Sequence, residues 1–157
     1  MGISYVPKHS LHTLNCIHIP AGADDAGTRK RLAEDIALVR SLLAALQAAL
    51  FPGRPTIEQL HFGGGTPTFL SIAQLERLLD GLDRHFHLAR HAGREFSIEI
   101  DPRSITPATL AELARLGFNR ASFGIQDFDA AVQDAVNRRQ SYAEVAALIE
   151  AARAAGF

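Results

Sequence analysis

Residues 95–125 read EFSIEIDPRSITPATLAELARLGFNRASFGI, and this stretch decides the fold class. Polar and apolar residues alternate over 95–100, which is typical of a β-strand with one buried face. Thr106 followed by Pro107 predicts a helix start, and Gly117 stands where a left-handed C-cap ends a helix. A second strand is predicted at 120–125. A strand, a helix and a strand in so short a run predict parallel strands joined by a crossover helix.

The same alternation extends to both sides of this unit. Further strands are predicted at 14–19 and 56–62. Further helices are predicted at 28–50, from 72 to about 86, and in a last helical region of two parts, 129–136 and 141–155. Ser71 with Gln74, and Ser141 with Glu144, have the spacing of capping boxes. Four strands alternating with four helices predict an α/β fold with a parallel sheet, either open or part of a β/α barrel.

The ends of the chain suggest a domain division. We expect 1–13 to be an N-terminal segment and 14–157 a partial (β/α) barrel. Gly117-Phe118 leads directly from a helix into a strand, whereas the matching Gly156-Phe157 ends the sequence. The barrel is therefore predicted to be incomplete at its C-terminus. Its open sheet edge would be covered either by self-association or by a complementary barrel segment.

The overall composition excludes several classes of function. The 157 residues are 47% hydrophobic and 21% charged, with a formal net charge of -1, as expected for a single globular domain. The 16 basic and 17 acidic residues nearly cancel, so neither nucleic acid nor a membrane surface is indicated as a partner. The absence of a long apolar run and of a signal-peptide layout predicts a cytoplasmic protein.

Ligands of parallel α/β folds bind beyond the carboxyl ends of the strands, which here are 18–20, 63–67, 99–102 and 126–128. Gly63-Gly64-Gly65-Thr66 is the sharpest signal, because glycines let the backbone approach a ligand closely. The stretch has neither the P-loop pattern nor the dinucleotide-binding pattern. A tight turn without a ligand is an equally good interpretation.

Individual side chains near these strand ends are candidates for ligand binding. Glu99 and Asp101 should point to the same side of their strand, Glu99 toward a ligand and Asp101 toward a ligand or a turn that it caps. Gln126 offers a donor and an acceptor. Arg138 could bind a carboxylate or phosphate, although Arg138 and Arg139 also suit a solvated helix junction.

The histidines are interpreted as structural. His61 is predicted to be a strand residue packed beneath a helix. His85, His87 and His91 are close in sequence, but their spacing does not favour a metal site.

Five colinear segments together carry a family resemblance. They are HIP at 18–20, QLHFGGGTPTFL at 59–70, SIEIDPR at 97–103, GFNRASFGIQDFD at 117–129 and VNRRQ at 136–140. The chain resembles oxygen-independent coproporphyrinogen III oxidase, or coproporphyrinogen dehydrogenase, a family of radical S-adenosylmethionine (SAM) enzymes of haem biosynthesis. The resemblance implies a partial (β/α) barrel, a [4Fe–4S] cluster, SAM as cofactor and a tetrapyrrole substrate, coproporphyrinogen III, which the family decarboxylates oxidatively to protoporphyrinogen IX.

The resemblance also implies which residues bind SAM. Gly64, Gly65 and Thr66 match the backbone site that holds the methionine end, and Glu99, Gln126 and Arg138 match further SAM contacts. No catalytic residue and no metal ligand is carried over to this sequence.

One departure from the family is severe. After His18-Ile19-Pro20 the family has a C-x-x-x-C-x-x-C loop that ligates the cluster, whereas this chain has Gly22 where the first ligand is expected. Cys16 is the one cysteine, and one thiolate cannot hold the cluster. We therefore expect no radical catalysis by this chain alone.

Two alternatives stay open: a haem-chaperone-like module that binds SAM or haem, and an inert gene fragment. Asp127 and Asn137-Arg138 favour the dehydrogenase branch over the chaperone branch.

Overall fold

The computed structural model describes residues 2–5, 12–15, 53–63 and 66–157, together with helical positions 39, 42, 45, 46, 49 and 50. The strands are β1 (Gly2–Tyr5), β2 (His12–Asn15), β3 (Thr56–Ile57), β4 (Gln59–Phe62), β5 (His87–Leu88), β6 (Glu95–Ile100) and β7 (Arg120–Phe123). The helices are α1 (Ile72–His85), α2 (Pro107–Arg115), α3 (Ala130–Ala135) and α4 (Tyr142–Ala154). Short 3-10 turns at Pro67–Phe69 and Pro102–Ser104 follow β4 and β6.

The described strands form two sheets. The larger has the order β1-β2-β4-β6-β7, with β1 antiparallel to β2 and the other neighbours parallel. The strands β3 and β5 pair in parallel as a separate two-stranded sheet. Parallel strands that alternate with helices confirm the predicted α/β class and the resemblance to a partial β/α barrel.

Local sequence signals explain where the helices begin and end. Ser71 and Ser141 each accept a hydrogen bond from the backbone N–H three residues later, and in both cases the capping box is complete. Thr106 caps α2 with Pro107 in its first turn. Gly117 has a φ of 102°, a left-handed conformation that glycine adopts without strain, so α2 turns directly into β7.

The larger sheet has one apolar face and one polar face. Leu60 and Phe62 of β4 and Ile98 of β6 are buried on the apolar face, where the helices pack. The rings of Phe62 and Phe118 meet edge to face with centroids 5.3 Å apart. Burying such side chains contributes roughly 1.5–3 kcal/mol each, so this layer holds the strands in place and leaves their other face for polar groups.

The structure corrects the predicted strand boundaries. The first parallel strand is His12–Asn15 rather than 14–19, of which 16–19 lie outside the described residues. The strand β1, which lies in the N-terminal segment 1–13, was not predicted, and it pairs with β2 as a hairpin. The strand predicted at 56–62 is interrupted at Glu58, because its first part pairs with β5. The strand predicted at 120–125 ends at Phe123.

Within the described part of the chain, no helix is both long and apolar enough to cross a membrane.

Candidate SAM site at the carboxyl ends of the strands

The polar face of the sheet carries a row of charged and hydrogen-bonding side chains. They lie on β4, β6 and β7 and alternate with apolar residues that are buried in β4 and β6 and partly buried in β7: Gln59, His61, Glu95, Ser97, Glu99, Arg120 and Ser122. Parallel pairing places His61 beside Ser97, and Glu99 beside Ser122. The two-residue period of the strands therefore brings these groups to one surface.

His61 joins two of the strands on this polar face. Its Nδ1 lies 2.7 Å from Ser97 Oγ, and its Nε2 lies 3.5 Å from Glu99 Oε1. The prediction that His61 packs beneath a helix is wrong, because Leu60 and Phe62 on either side of it occupy the helix-facing surface. The alternation of buried and polar residues in β4 is the signal that could have placed His61 correctly.

Gly63 follows β4 at the point where the polar face ends. A Cβ at Gly63 would lie 2.5 Å from His61 Nε2 and 2.8 Å from Glu99 Oε1, which is closer than real Cβ contacts. Its backbone φ is not in the left-handed region, so the glycine is needed for close approach and not for a special conformation. The structure thus places Glu99 against the start of the glycine-rich loop.

The remainder of the glycine-rich loop is only partly described. Gly64 and Gly65 lie outside the described residues. Thr66 begins the Pro67–Phe69 turn, and its carbonyl accepts a hydrogen bond from Phe69 N at 2.9 Å. Among the described residues, Thr68 Oγ1 is a buried side-chain oxygen without a hydrogen-bond partner.

Asp101 is engaged by its own turn. Its carboxylate accepts hydrogen bonds from the Arg103 backbone N–H at 3.0 Å and from the Arg103 guanidinium at 2.7 Å. The side-chain hydrogen bond from Arg103 lowers the pKa of Asp101, with burial opposing the shift and the charge of nearby Arg138 adding to it. Of the two predicted roles, the structure supports turn capping for Asp101.

Gln126 and Arg138 come together over Gly124, at the end of β7. A Cβ at Gly124 would lie 3.5 Å from Arg138 Nη1 and 3.9 Å from Gln126 Nε2. Gln126 has a φ of 67°, and such left-handed non-glycine residues are held by their surroundings. Arg139 differs from its neighbour: it is exposed and pairs with Asp134 at 2.6 Å. The helix-junction interpretation therefore fits Arg139, whereas Arg138 is half-buried at the strand end.

His85, at the end of α1, and His87 and His91, in and after β5, lie away from this surface. His91 Nε2 lies 2.6 Å from Glu58 Oε2. In the ranges that the structure describes, no group of three or more His, Cys, Asp or Glu side chains is placed to hold a metal ion.

Comparison with known proteins identifies the family. The family model of the radical SAM superfamily matches residues 20–157 of this chain. The chain belongs to the radical SAM superfamily. It is 53% identical over 97 residues to oxygen-independent coproporphyrinogen III oxidase of Pseudomonas aeruginosa, covering 62% of this chain and 21% of that protein. For the protein of that name in Escherichia coli K12, the identity is 48% over 111 residues, covering 71% and 24%.

Solved structures agree with this assignment. Coproporphyrinogen III oxidase from Escherichia coli, described as a radical SAM enzyme, superimposes with a TM-score of 0.73 at 37% identity, covering 94% of this chain and 35% of that one. An Elp3 structure from Methanocaldococcus infernus shares the fold at a TM-score of 0.56 and 16% identity, covering 88% and 34%. The resemblance to oxygen-independent coproporphyrinogen III oxidase is confirmed, and the chain spans about a quarter of the length of the relatives it matches.

The family uses SAM together with a [4Fe–4S] cluster, and the residues present fit only the first of these. SAM carries a carboxylate, an ammonium group, ribose hydroxyls and an adenine. The Arg138 guanidinium, the Gln126 amide, the Glu99 carboxylate and the close-approach Gly63 offer matching groups at neighbouring strand ends. The cluster needs several thiolates, and Cys16 is the one cysteine in 157 residues.

Proposed function

We propose that this chain binds SAM at the carboxyl ends of β4, β6 and β7 and, by itself, does not cleave it. The observation that carries the proposal is the placement of Glu99 against Gly63, and of Gln126 and Arg138 beside Gly124, at the ends of adjacent strands of a radical SAM fold. This position is the usual ligand site of parallel α/β folds.

Each residue has a distinct part in the proposed binding. The backbone of Gly64, Gly65 and Thr66 holds the methionine end of SAM. Arg138 presents its fork of N–H donors to an anionic group such as the SAM carboxylate. Glu99 accepts hydrogen bonds from ribose hydroxyls or the amino group, and Gln126 both donates and accepts.

In the family, SAM supplies a 5′-deoxyadenosyl group for radical chemistry when the cluster is present. This chain offers binding and orientation only, because its single cysteine cannot assemble that cluster. We infer that oxidation of a tetrapyrrole such as coproporphyrinogen III, the activity named in the relatives, requires parts that these 157 residues do not supply.

Titration calorimetry with SAM tests the binding proposal. The wild type should bind SAM with a stoichiometry near one. Arg138→Ala should weaken binding by roughly 10- to 100-fold, because it removes charge-assisted hydrogen bonds of about 1.5–3 kcal/mol.

Arg139→Ala is the matched control, since this neighbour is exposed and already paired with Asp134. It should leave the affinity unchanged. Equal losses in the two variants would contradict the assigned site. Haem binding without SAM binding would favour the chaperone-like alternative, and binding of neither would favour the inert fragment.

A further inference from the structure

A buried amide lies between the two chain segments that carry Gln126 and Arg138. Among the described residues, Gln133 is the one polar or charged residue that is buried as a whole, 8% exposed in the middle of α3. Buried amides are costly unless hydrogen-bonded, so the partners of Gln133 identify what it holds together.

Every polar atom of the Gln133 side chain is used. Its Nε2 donates to the carbonyl oxygens of Asp127 and Gln140, both at 2.9 Å. Its Oε1 accepts from Gln140 N at 3.2 Å. Its backbone carbonyl accepts from Arg138 N at 2.9 Å. One residue thus binds the segment after β7 on one side and the segment between α3 and α4 on the other.

The two segments also contain left-handed backbone conformations. Gln126 and Asn137, with φ of 67° and 51°, are the non-glycine residues with positive φ in the described part of the chain. Gln126 directly precedes Asp127, whose carbonyl the Gln133 side chain bonds, and Asn137 lies in the C-terminal capping turn of α3, where the backbone carbonyl of Gln133 accepts from Arg138 N. The side chain of Gln133 reaches the second segment at Gln140, two residues after Arg138. A side-chain hydrogen bond from Gln140 to the Ile125 carbonyl reinforces the link. Such conformations persist only where neighbouring groups hold them.

We propose that Gln133 is a positioning residue that fixes Gln126 and Arg138 relative to each other and thereby sets the SAM affinity of the site. The inference rests on the proposed function. Gln133 touches no ligand in this account and acts through the backbone of its two neighbouring segments.

The test compares SAM affinity with folding stability in a small set of variants. Gln133→Met keeps the side-chain size and removes all three side-chain hydrogen bonds, and Gln133→Glu keeps the acceptor but removes both donors. We expect each to weaken SAM binding about tenfold, the change equivalent to about 1.4 kcal/mol. Amide hydrogen exchange should quicken at 125–128 and 137–140 while α1 and α2 stay protected.

Val145→Ala is the control, because Val145 is buried in α4 and its apolar side chain takes no part in these hydrogen bonds. It should lower the thermal midpoint without changing the SAM dissociation constant. A background of Arg138→Lys adds a second check: there, Gln133→Met should reduce affinity by less than about threefold, since the group being positioned is already altered.

The possible results distinguish failure of the positioning role of Gln133 from failure of the proposed SAM binding. Wild-type affinity in folded Gln133→Met overturns the positioning role alone, and if that variant loses its cooperative thermal transition, Gln133→Glu decides. If Gln133→Met reduces SAM affinity equally in the wild-type and Arg138→Lys backgrounds, the positioning role is also overturned. Absence of SAM binding by the wild type overturns both the proposed function and this inference.

Discussion

Replacing Gly63 by alanine probes the junction between the glycine-rich loop and Glu99. The new methyl group would lie 2.5 Å from His61 Nε2 and 2.8 Å from Glu99 Oε1, so both side chains must move. The Glu99 side chain is 44% exposed and can swing outward. The His61 ring is held by Ser97 at 2.7 Å, so its movement strains or breaks that hydrogen bond.

The magnitude follows from two opposing effects. Overpacking costs about 1–3 kcal/mol, and we expect about 2 kcal/mol here because the Glu99 side chain can rotate away whereas the His61 ring is held by Ser97. Alanine also restricts the unfolded chain, which offsets about 0.4–1 kcal/mol at a position whose φ suits any residue. The net destabilisation is about 1 kcal/mol, or roughly 2–4 °C in Tm for a chain of this size.

The effect on the ligand should exceed the effect on stability. Because Glu99 is displaced, Gly63→Ala should weaken SAM binding by about tenfold or more in titration calorimetry. Gly53→Ala is the matched control: its φ of 92° strains alanine by roughly 1–2 kcal/mol, yet nothing lies within 4 Å of its Cβ position. It should lower Tm and leave SAM affinity intact. Wild-type Tm and wild-type affinity in Gly63→Ala would refute the reasoning.

Three further variants test other parts of the structure. Ser141→Ala removes the capping box of α4 and should lower the free energy of unfolding by about 1 kcal/mol in urea denaturation. Glu150→Gln on the same helix removes only an exposed ion pair with Arg153 and should change it less. Leu110 is 0% exposed, so Leu110→Ala should cost about 2–5 kcal/mol in the same assay, and a wild-type midpoint would contradict the assigned core. Because Arg103 lowers the folded-state pKa of Asp101, the ionised carboxylate stabilises the fold above its unfolded pKa, and this stabilisation is lost as the pH falls through the folded pKa. Urea midpoints measured between about pH 6 and pH 2 should therefore fall less in Asp101→Asn than in the wild type, and parallel pH profiles would contradict the role of Arg103.

Local sequence signals predicted much of the fold because they act over a few residues. The Ser71 and Ser141 capping boxes and the alternation over Glu95–Ile100 depend on neighbouring residues, and the structure has them where they were predicted. The sequence did not predict the strands β1 and β5, and it did not distinguish β3 from β4. Each is stabilised by pairing with a distant partner, and segments of two to four residues carry too weak a pattern to show that pairing.

The candidate site was only partly visible in the sequence. Glu99 and Gln126 were predicted at strand ends, where parallel folds place ligands. Arg138 was predicted at a junction between two helical segments, and only the tertiary structure shows that it lies beside Gly124 at the end of β7. The contact of His61 with Ser97 and Glu99 depends on strand register. The role of Gln133 was missed because a glutamine in a short amphipathic helix resembles a solvated residue, and only the tertiary structure shows its partners at 127 and 140.

The central claim is that this chain binds SAM at these strand ends without cleaving it. The most direct measurement incubates the wild type with SAM after anaerobic treatment with iron, sulfide and reductant, and quantifies bound SAM and released 5′-deoxyadenosine in the same sample. We predict about one bound SAM per chain and no 5′-deoxyadenosine above a protein-free control. Cluster-dependent formation of 5′-deoxyadenosine, or a complete lack of bound SAM, would contradict the account.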